Sequence, residues 1–285
     1  MKKILITGGN GLVGKYLTFL LNKKKYVSFS FGKEEMDITS KDRIYMVFKE
    51  IRPDIVIHLA ALTDVDLCER EPEKAFKINS EGTKNIVEIS DNFNPFIVYL
   101  STDFIFDGKK GSFYNEDDIP NPINVYGKSK LKGEGFVKNY RKSLIIRTSR
   151  IFGKNGKSFG CKLPYIMREK KEIFLTDDII NCPTYAFDLS DCIIKLIEKD
   201  FYGVINVCNN GWCSWYEFGL KMKSILNLDI EIKKLSFNEF SKIFNVIAKR
   251  PKFTPLSINL LNSLNLKMRN WEESIISFLN ELNRG

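Results

Sequence analysis

A tyrosine and a lysine four positions apart, Tyr126 and Lys130, are the side chains of this sequence best placed for acid–base chemistry. They open a predicted helix over residues 125–139. Because side chains at i and i+4 lie on one face of a helix, their polar ends can converge on one site. A free tyrosine has a pKa of about 10 and is a poor acid–base catalyst at neutral pH unless a neighbouring cation stabilises its phenolate. Lys130 is placed to be that cation, although the pair alone would also fit an exposed helical surface.

A polar tripeptide, Ser101-Thr102-Asp103, lies directly after the apolar segment that begins at Phe96. A short apolar run between helical patterns predicts a buried strand of a parallel sheet. In doubly wound folds, ligands bind at the carboxyl edge of the sheet, where such a tripeptide would lie. We therefore expect Thr102 and Asp103 to face a ligand.

A glycine-rich segment, residues 7–14 (TGGNGLVG), follows the first apolar strand and precedes a helical pattern. Gly8 permits a tight turn, Gly11 lets the backbone approach a pyrophosphate, and Gly14 allows close packing of helix on strand. The helix N-terminus adds amide donors and a positive dipole. The strand–loop–helix context distinguishes this dinucleotide-binding pattern from a simple connector. The residues expected to contact the cofactor here are Gly8, Asn10, Gly11, Leu12, Val13 and Gly14.

The end of the second predicted strand bears on which dinucleotide binds. A Rossmann domain that prefers NAD usually has an acid there, about 20 residues past the glycines, to bind the ribose hydroxyls. This chain has no acid at that point; Glu34 and Glu35 come slightly late, and Lys33 could pair with a ribose phosphate. The sequence therefore predicts NADP(H) as the preferred cofactor, with NAD(H) as the alternative.

Short apolar runs alternate with amphipathic helical patterns through the N-terminal half, which indicates a parallel sheet flanked by helices. We predict an α/β fold: a Rossmann-type doubly wound parallel sheet with a smaller, discontinuous C-terminal substrate lobe. The NAD(P)-binding domain is expected over residues 1–151 plus about 187–208, and the lobe over about 152–186 and 209–285. The predicted strands cover residues 3–7, 26–31, 55–59, 96–101, 143–147 and 204–208, and the predicted helices residues 12–22, 41–51, 72–92, 125–139 and 188–198.

The composition excludes several classes of protein. With 285 residues, 44% hydrophobic and 28% charged, the chain is typical of a globular protein of one or two domains. No apolar stretch approaches the roughly 18 to 20 residues of a membrane helix, so we expect neither a secretory signal nor a membrane anchor. The dispersed cysteines lack the spacing of a disulfide framework or zinc site, which predicts reduced thiols, a cytoplasmic location and no metal. The single histidine, His58, ends an apolar run and is expected to pack at a strand end.

Basic residues exceed acidic residues by 44 to 35, which gives a formal net charge of +9. No helix-turn-helix, zinc or aromatic RNA-binding signature accompanies this charge, so nucleic acid is not an expected partner. An anionic small substrate would also benefit from the basic field.

In this order and spacing, the glycine loop, Ser101-Thr102-Asp103 and Tyr126 to Lys130 resemble the extended short-chain dehydrogenase/reductases. Within them the sequence is most similar to the dTDP-4-dehydrorhamnose reductase family of sugar-nucleotide reductases. The likeness extends over nearly the whole chain. Further segments that carry it are residues 57–69 (IHLAALTDVDLCE), 101–108 (STDFIFDG), 124–134 (NVYGKSKLKGE) and 177–189 (DDIINCPTYAFDL), and the pair Arg250-Pro251.

The resemblance implies an NAD(P)H-dependent reductase of a nucleotide-linked 4-keto-6-deoxy sugar in surface-polysaccharide precursor synthesis. Tyr126 would donate a proton to the ketone oxygen as hydride arrives from the nicotinamide, and Lys130 would also hold the nicotinamide ribose. Thr102 would donate a hydrogen bond to the developing alkoxide. Other positions match family segments that border the adenine, pyrophosphate and ribose, with packing or capping as the alternative role. These positions are Asp37, Ile38, Ala60, Ala61, Thr63 and Asn79.

The expected substrate contacts are Thr102, Asp103, Arg150 and Arg250. A guanidinium can bond two phosphate oxygens at once, so either arginine suits a pyrophosphate, although Arg250 could instead pair with a surface acid. Two positions depart from the family pattern: Arg150 stands where rhamnose-pathway reductases usually have a tryptophan, and Phe104 where they have a tyrosine. Both border the expected sugar pocket, which leaves the identity of the sugar open.

Of three other functions, the sequence argues against one and leaves two open. A dehydratase of the superfamily would need a glutamate at position 104, where this chain has Phe104. An epimerase would need a second base on the far face of the sugar, a role open to Cys161 or another lobe residue. The resemblance extends to the regulatory subunit of methionine adenosyltransferase, so a non-catalytic NADP-binding protein is a further alternative. A homodimer is left open.

Overall fold

The computed structural model describes residues 2–24 and 26–283, which form ten strands in three sheets. The strands are β1 (Lys3–Thr7), β2 (Val27–Phe31), β3 (Ile55–His58), β4 (Phe96–Thr102), β5 (Ser143–Thr148), β6 (Ile151–Phe152), β7 (Glu172–Thr176), β8 (Thr184–Tyr185), β9 (Gly203–Asn206) and β10 (Glu231–Leu235). The central sheet has six parallel strands in the order β2-β1-β3-β4-β5-β9. The predicted Rossmann-type α/β fold is confirmed.

Helices of varied length connect the strands and cover both faces of the central sheet. They are α1 (Leu12–Lys23), α2 (Lys41–Ile51), α3 (Val65–Arg70), α4 (Pro72–Phe76), a π-helical turn (Lys77–Gly82), α5 (Thr83–Ser90), a 3-10 turn (Asp103–Ile105), α6 (Val125–Lys138), α7 (Phe159–Glu169), α8 (Ala186–Glu198), α9 (Trp215–Leu226), α10 (Phe237–Phe244), α11 (Asn259–Ser263) and α12 (Trp271–Asn283).

The two faces of the central sheet have separate hydrophobic layers. Ile4 and Ile6 of β1 belong to the same buried cluster as Leu17 of α1. Leu5, between them, belongs to a second cluster with Phe48 of α2. This alternation follows the two-residue period of a strand. Because helices cover both faces, the strands read as continuous apolar runs in the sequence.

The strand order reverses at β1, which has β2 on one side and β3 on the other. A reversal of this kind opens a crevice at the carboxyl ends of the strands, and ligands of doubly wound folds bind there. The glycine loop leaves β1 and the segment 59–63 leaves β3, so both segments border this crevice.

The C-terminal part of the chain forms two small parallel sheets, β7 with β10 and β6 with β8. Single bridges connect Ile180 to Phe253 and Asn181 to Cys213, so segments far apart in sequence meet in one region. The division into a cofactor domain and a substrate lobe at residues 151, 187 and 208 stays a prediction.

Three features bear on the composition arguments. Among the described residues, no helix is long and apolar enough to cross a membrane. The six cysteines are buried free thiols. His58 is buried at the end of β3, where Thr7 lies 2.7 Å from its Nδ1 and Thr83 lies 3.1 Å from its Nε2. The prediction that His58 packs at a strand end is confirmed.

Candidate active site

The glycine loop forms a backbone cradle at the start of α1. Gly8 has a φ of +67°, and a Cβ on it would lie 2.7 Å from the backbone nitrogen of Ala60. A Cβ on Gly14 would lie 2.6 Å from the carbonyl oxygen of Gly9, so α1 also needs glycine to pack on the loop. In the described part of the chain no side chain caps α1 at Gly11, which leaves its first amide groups available to an anion. This cradle fits a dinucleotide pyrophosphate.

The other residues of the loop support the cradle from its two sides. Val13 is buried in the core, and Leu12 is half-buried and packs against the same cluster. Asn10 is exposed, and its side-chain amide lies where a Cβ on Gly32 would be, just after β2. The loop is thereby held against the end of β2, where the ribose of a dinucleotide is expected.

In the segment after β2, a lysine is exposed and an acid is bonded to the backbone. Lys33 is exposed, whereas the carboxylate of Glu35 accepts a 2.7 Å hydrogen bond from the backbone amide of Gly32. Asp37 accepts hydrogen bonds from the amide and hydroxyl of Thr39, at 2.9 and 2.8 Å. The amide hydrogen bond is the main cause that lowers the pKa of Asp37, and the charge of Lys33 adds to it. Lys33 is thus free of Glu35 at the predicted ribose-phosphate position.

Ile38 is fixed beside this segment rather than exposed to it. Its side chain is 4% exposed, and its carbonyl oxygen accepts a 3.0 Å hydrogen bond from the side chain of Asn85. A cofactor contact at Ile38 would therefore use the backbone or a side-chain edge.

The loop after β3 is tied both to the glycine loop and to α6. The amide of Ala60 donates to the hydroxyl of Thr7 at 3.2 Å. Asn79, in the π-helical turn, accepts from the amide of Leu62 at 2.7 Å and donates to its carbonyl oxygen at 3.0 Å. The same amide group donates to Ser129 of α6 at 3.0 Å. Asn79 is fully buried, so it supports the loop from behind.

Two further predicted cofactor residues lie on that loop. Ala61 is half-buried and Thr63 is exposed. Together with Ala60 they line the crevice side of the chain after β3, and their contacts to a cofactor stay predictions.

Thr102 and Tyr126 meet at the carboxyl edge of the sheet. Burial raises the pKa of Tyr126 above its usual 10.0, and a hydrogen bond with Thr102 opposes that rise. The hydroxyl of Thr102 also accepts a 3.2 Å hydrogen bond from the backbone amide of Phe104. Gly127 packs so closely on the carbonyl oxygen of Phe104 that a Cβ on it would not fit. Asn124 caps α6 by accepting the amide of Gly127 at 2.8 Å. Tyr126 is thus held as a neutral phenol, the form that can donate a proton.

Lys130 lies one helical turn beyond Tyr126 and is 3% exposed. Its ammonium nitrogen is 4.1 Å from the centre of the Tyr99 ring. Burial lowers the pKa of Lys130 to about 7, and the charge of Glu134 opposes this effect. Burial and then the charge of Lys130 lower the pKa of His58 to about 3, so that imidazole is neutral. Lys130 is therefore a cation that titrates near neutral pH.

Asp103 connects the end of β4 to the C-terminal part of the chain. Its carboxylate accepts a 2.6 Å hydrogen bond from the hydroxyl of Thr254 and a 3.3 Å hydrogen bond from Thr102. Burial raises the pKa of Asp103 to about 6, with the Thr254 hydrogen bond as the main opposing effect. Asp103 is 2% exposed, so it bonds protein groups here.

Arg150 joins three segments of the C-terminal part. Its guanidinium donates to the carbonyl oxygens of Cys213 and Ile179, at 3.0 and 3.1 Å, and lies 4.2 Å from the centre of the Trp215 ring. Its Nε is buried with no hydrogen-bond partner among the described residues. The residue has a φ of +40°, a left-handed conformation that is costly for a side chain of this size. Its donors are therefore largely committed to the protein.

Arg250 is paired with an acid of α3. Its Nη2 lies 2.8 Å from the carboxylate of Asp66, and its Nη1 donates to the carbonyl oxygen of Ala248 at 2.9 Å. Asp66 also accepts the amides of Ile247 and Ala248, at 3.0 and 2.9 Å. This is the pairing anticipated as the alternative for Arg250, although its side chain remains 17% exposed.

Sequence reasoning did not single out three acidic or aromatic residues that complete the site. Asp66 holds Arg250, Tyr99 faces Lys130, and Glu134 acts on Lys130. Glu134 carried a signal, because it follows Lys130 by four positions, the spacing that identified Tyr126 with Lys130. Asp66 carried none, since charge alone does not distinguish a partner of Arg250 from a surface acid.

Comparison with known proteins agrees with this geometry. The spore coat polysaccharide biosynthesis protein SpsK of Bacillus subtilis (strain 168) is 34% identical over 282 residues, 99% of this chain and 98% of that protein. The dTDP-4-dehydrorhamnose reductase of Aggregatibacter actinomycetemcomitans is 30% identical and covers 96% of this chain and 97% of that protein. The crystal structure of dTDP-4-dehydrorhamnose reductase from Bacillus anthracis str. Ames in complex with NADP has a TM-score of 0.93 and 39% identity, with 98% of this chain and 99% of that chain covered.

A family described as the RmlD substrate binding domain matches residues 1–284, nearly the whole chain. The glycine cradle lies where the strand order reverses, and Thr102, Tyr126 and Lys130 lie at the same edge of the sheet. These are the features on which the resemblance to sugar-nucleotide reductases was based. This chain belongs to the RmlD substrate binding domain family.

Proposed function

We propose that this chain is an NADPH-dependent reductase of the C4 ketone of a nucleotide-linked 4-keto-6-deoxy sugar, with dTDP-4-dehydrorhamnose or a close relative as substrate. The observation that carries the proposal is the set of Thr102, Tyr126 and Lys130 at the sheet edge, on the same side as the glycine cradle. Relatives that match almost the whole chain are dTDP-4-dehydrorhamnose reductases. The similarity to SpsK supports a role in making precursors of a surface polysaccharide.

The reaction adds a hydride to a carbonyl carbon and a proton to its oxygen. The bound reduced nicotinamide supplies the hydride. Tyr126 donates its phenol proton to the ketone oxygen, and Thr102 donates a hydrogen bond to the same oxygen as negative charge develops. Lys130, one turn away on α6, stabilises the phenolate that remains on Tyr126. Because Thr102 and Lys130 are buried and Tyr126 is half-buried, their charges interact more strongly than they would in water.

The cofactor site combines the glycine cradle with the segment after β2. Gly8, Gly11 and the N-terminus of α1 hold the pyrophosphate, and Lys33 binds the ribose 2′-phosphate. The presence of NADP in the related Bacillus anthracis structure supports NADPH over NADH. Asp37 and the loop at Ala60 border the adenine side and the ribose.

The substrate site extends from Thr102 towards the C-terminal part of the chain. Arg150 and Arg250 are the proposed contacts to the sugar and pyrophosphate, and residues 152–186 and 209–285 form the covering lobe. A cytoplasmic location and a homodimer stay predictions.

An epimerase is not favoured by the surroundings of Cys161, the residue considered as a second base. Its thiol lies 3.0 Å from the hydroxyl of Ser158, and the residue is 3% exposed within the main hydrophobic cluster. A thiol in that position packs in the core. The complete set of Thr102, Tyr126 and Lys130 also argues against a purely regulatory protein.

The test is an assay of purified protein with NADPH and a panel of dTDP-, UDP-, GDP- and CDP-linked 4-keto sugars, in which cofactor oxidation is followed. We expect oxidation with the dTDP-linked 4-keto-6-deoxy sugar above all others. Absence of oxidation with every sugar would remove the substrate class, and coelution with a larger enzyme would then support the regulatory alternative.

A further inference from the structure

A buried ion pair lies beside the proposed catalytic residues and has no role in the reaction as described. Arg147 of β5 and Glu134 of α6 have side chains only 5% and 4% exposed, with 2.5 Å between Nη2 and Oε1. Arg147 also donates to the carbonyl oxygen of Glu116 at 2.7 Å. The cost of desolvating a buried ion pair is often as large as the attraction within it, so stability alone is a weak explanation for this pair.

The ion pair is connected to the catalytic residues at two points. The hydroxyl of Ser101 donates to the second carboxylate oxygen of Glu134 at 2.7 Å, and Ser101 directly precedes Thr102. Glu134 also follows Lys130 by one helical turn, and both residues are buried on the inner face of α6. Glu134 thus bonds the strand that carries Thr102 and lies one turn along α6 from the lysine that supports Tyr126.

Most titratable groups around this end of α6 are uncharged at neutral pH. Burial raises the pKa of the phenols and of the thiol, and lowers that of the imidazole. These groups are Tyr126 of α6, Tyr99 of β4, Cys68 of α3 and His58 of β3.

The remaining charges near α6 are turned towards other partners. Asp103 is bonded to Thr254, and its charge acts on Tyr126. Glu81 of the π-helical turn pairs with Lys132 on the exposed face of α6. Glu134 is therefore the carboxylate that acts on Lys130, and its charge opposes the effect of burial there.

We propose that Glu134 is a positioning residue that keeps Lys130 in its ammonium form, while Arg147 and Ser101 hold the carboxylate of Glu134 in place. The inference deepens the proposed function and rests on it, because an ammonium at Lys130 is what stabilises the phenolate of Tyr126. Without Glu134, burial of Lys130 is unopposed, and the lysine loses its proton at a lower pH.

The first test needs neither cofactor nor substrate. The ¹³Cε resonance of Lys130, assigned by its loss in Lys130→Arg, is followed against pH in the apo protein. We expect the titration midpoint to fall by about one pH unit in Glu134→Gln. In Arg147→Gln, the matched control that breaks the same pair but keeps the carboxylate, the midpoint should not fall. An unchanged midpoint in Glu134→Gln, or an equal fall in both variants, would overturn the proposal.

A second variant covers the outcome that Glu134→Gln unfolds because Arg147 is left buried and unpaired. Glu134→Gln combined with Arg147→Gln removes both charges together, which avoids that penalty. The midpoint of the double variant should lie below that of Arg147→Gln alone. Equal midpoints in these two proteins would show that the carboxylate does not act on Lys130.

The pH dependence of kcat/KM provides the functional readout, with the sugar identified by the panel assay. The basic limb of the profile should move to lower pH in Glu134→Gln and should not do so in Arg147→Gln. A purely structural ion pair predicts lower activity at every pH in both variants and no movement of the limb. Failure of the panel assay would remove the substrate but leave the apo titration as a separate test of Glu134.

Discussion

The two sides of the proposed substrate site differ in what their polar side chains bond. On the sheet side, Thr102 and Tyr126 lie together at the end of β4 and the start of α6, and the ammonium of Lys130 lies against an aromatic ring. On the lobe side, Arg150 donates to two backbone carbonyls, and Arg250 is paired with Asp66. The reacting groups are thus arranged around one another, whereas the proposed recognition groups are bonded to the protein.

This difference follows from the elements that carry the residues. Thr102 and Lys130 lie on β4 and α6, which pack on the core of the central sheet, so the fold itself sets their positions. Arg150 and Arg250 lie on connecting segments, where binding residues are commonly found. We conclude that the chemistry is preorganised, while recognition of the nucleotide sugar requires the arginines to share or exchange their present partners.

Replacing the proton donor should disable the reacting groups on the sheet side and produce the largest effect on turnover. Tyr126→Phe removes the hydroxyl that meets Thr102, and we expect turnover to fall by a factor of about 100 to 10,000 while NADPH binding is kept. Steady-state kinetics and a fluorescence titration with NADPH measure the two quantities. Wild-type turnover in this variant would contradict the mechanism.

A matched tyrosine two residues beyond the end of the same helix provides the control. The hydroxyl of Tyr140 donates to the carbonyl oxygen of Pro95 at 2.8 Å, away from the sheet edge. Tyr140→Phe should cost about 1 kcal/mol of stability and leave turnover unchanged.

Replacing a recognition arginine should weaken the binding of the nucleotide sugar and leave the binding of the cofactor unchanged. Arg250→Ala should weaken nucleotide-sugar binding by about 10- to 100-fold, the range for a lost charged hydrogen bond, and leave NADPH affinity unchanged. Calorimetry with each ligand separately measures this. Lys252→Ala removes a charge from the same segment, but Lys252 is 72% exposed at its side chain and pairs with Asp178. An equal loss in both variants would show that Arg250 acts only through the general basic field.

The sequence predicted the sheet side well because its signals are local. The glycine loop is a strand–loop–helix pattern over eight residues, and Tyr126 with Lys130 is an i,i+4 pair, so both can be recognised without knowing what packs against them. The lobe side depends on contacts distant in sequence. Arg250 and Asp66 are 184 positions apart, and Arg150 and Cys213 are 63 positions apart.

The predicted helix over residues 72–92 shows the same limit. It consists of α4, the π-helical turn and α5, and α3 before it was not predicted. The π-helical turn carries Asn79, whose side chain bonds the loop after β3 and Ser129. Turns of this type often occur at functional sites, and an apolar period of 3.6 residues does not reveal them.

A smaller effect is expected at the cofactor end of the sheet side, where the contact is a single exposed lysine. Lys33→Ala should raise the KM for NADPH by about tenfold and barely change that for NADH, because only NADPH has the 2′-phosphate. Lys41→Ala is the matched control, since Lys41 is exposed after the same strand and pairs with Glu88. Equal changes for both cofactors would show that Lys33 does not bind the 2′-phosphate.

The smallest effect concerns Asp103, where the two sides meet, and it appears in stability. Burial raises the pKa of this carboxyl to about 6 in the folded chain, against about 3.9 when unfolded. Folding therefore favours the protonated form, so the contribution of Asp103 to stability is greatest below about pH 4 and is lost as the pH rises through 6.

The variant Asp103→Asn tests this dependence, because asparagine cannot ionise and escapes this loss. The melting temperature of Asp103→Asn relative to wild type should therefore rise between pH 4 and 7 and then stay level. Asp107 is the control: although burial acts to raise its pKa, hydrogen bonds led by the amide of Lys109 lower it. Its contribution to stability is therefore fully present above about pH 5, and the Asp107→Asn difference should stay constant from there to pH 7. A relative melting temperature of Asp103→Asn that falls from pH 4 to 7 would mean that Thr254 and Thr102 bind the carboxylate strongly enough to outweigh its burial, and that the two sides are joined by a charged group.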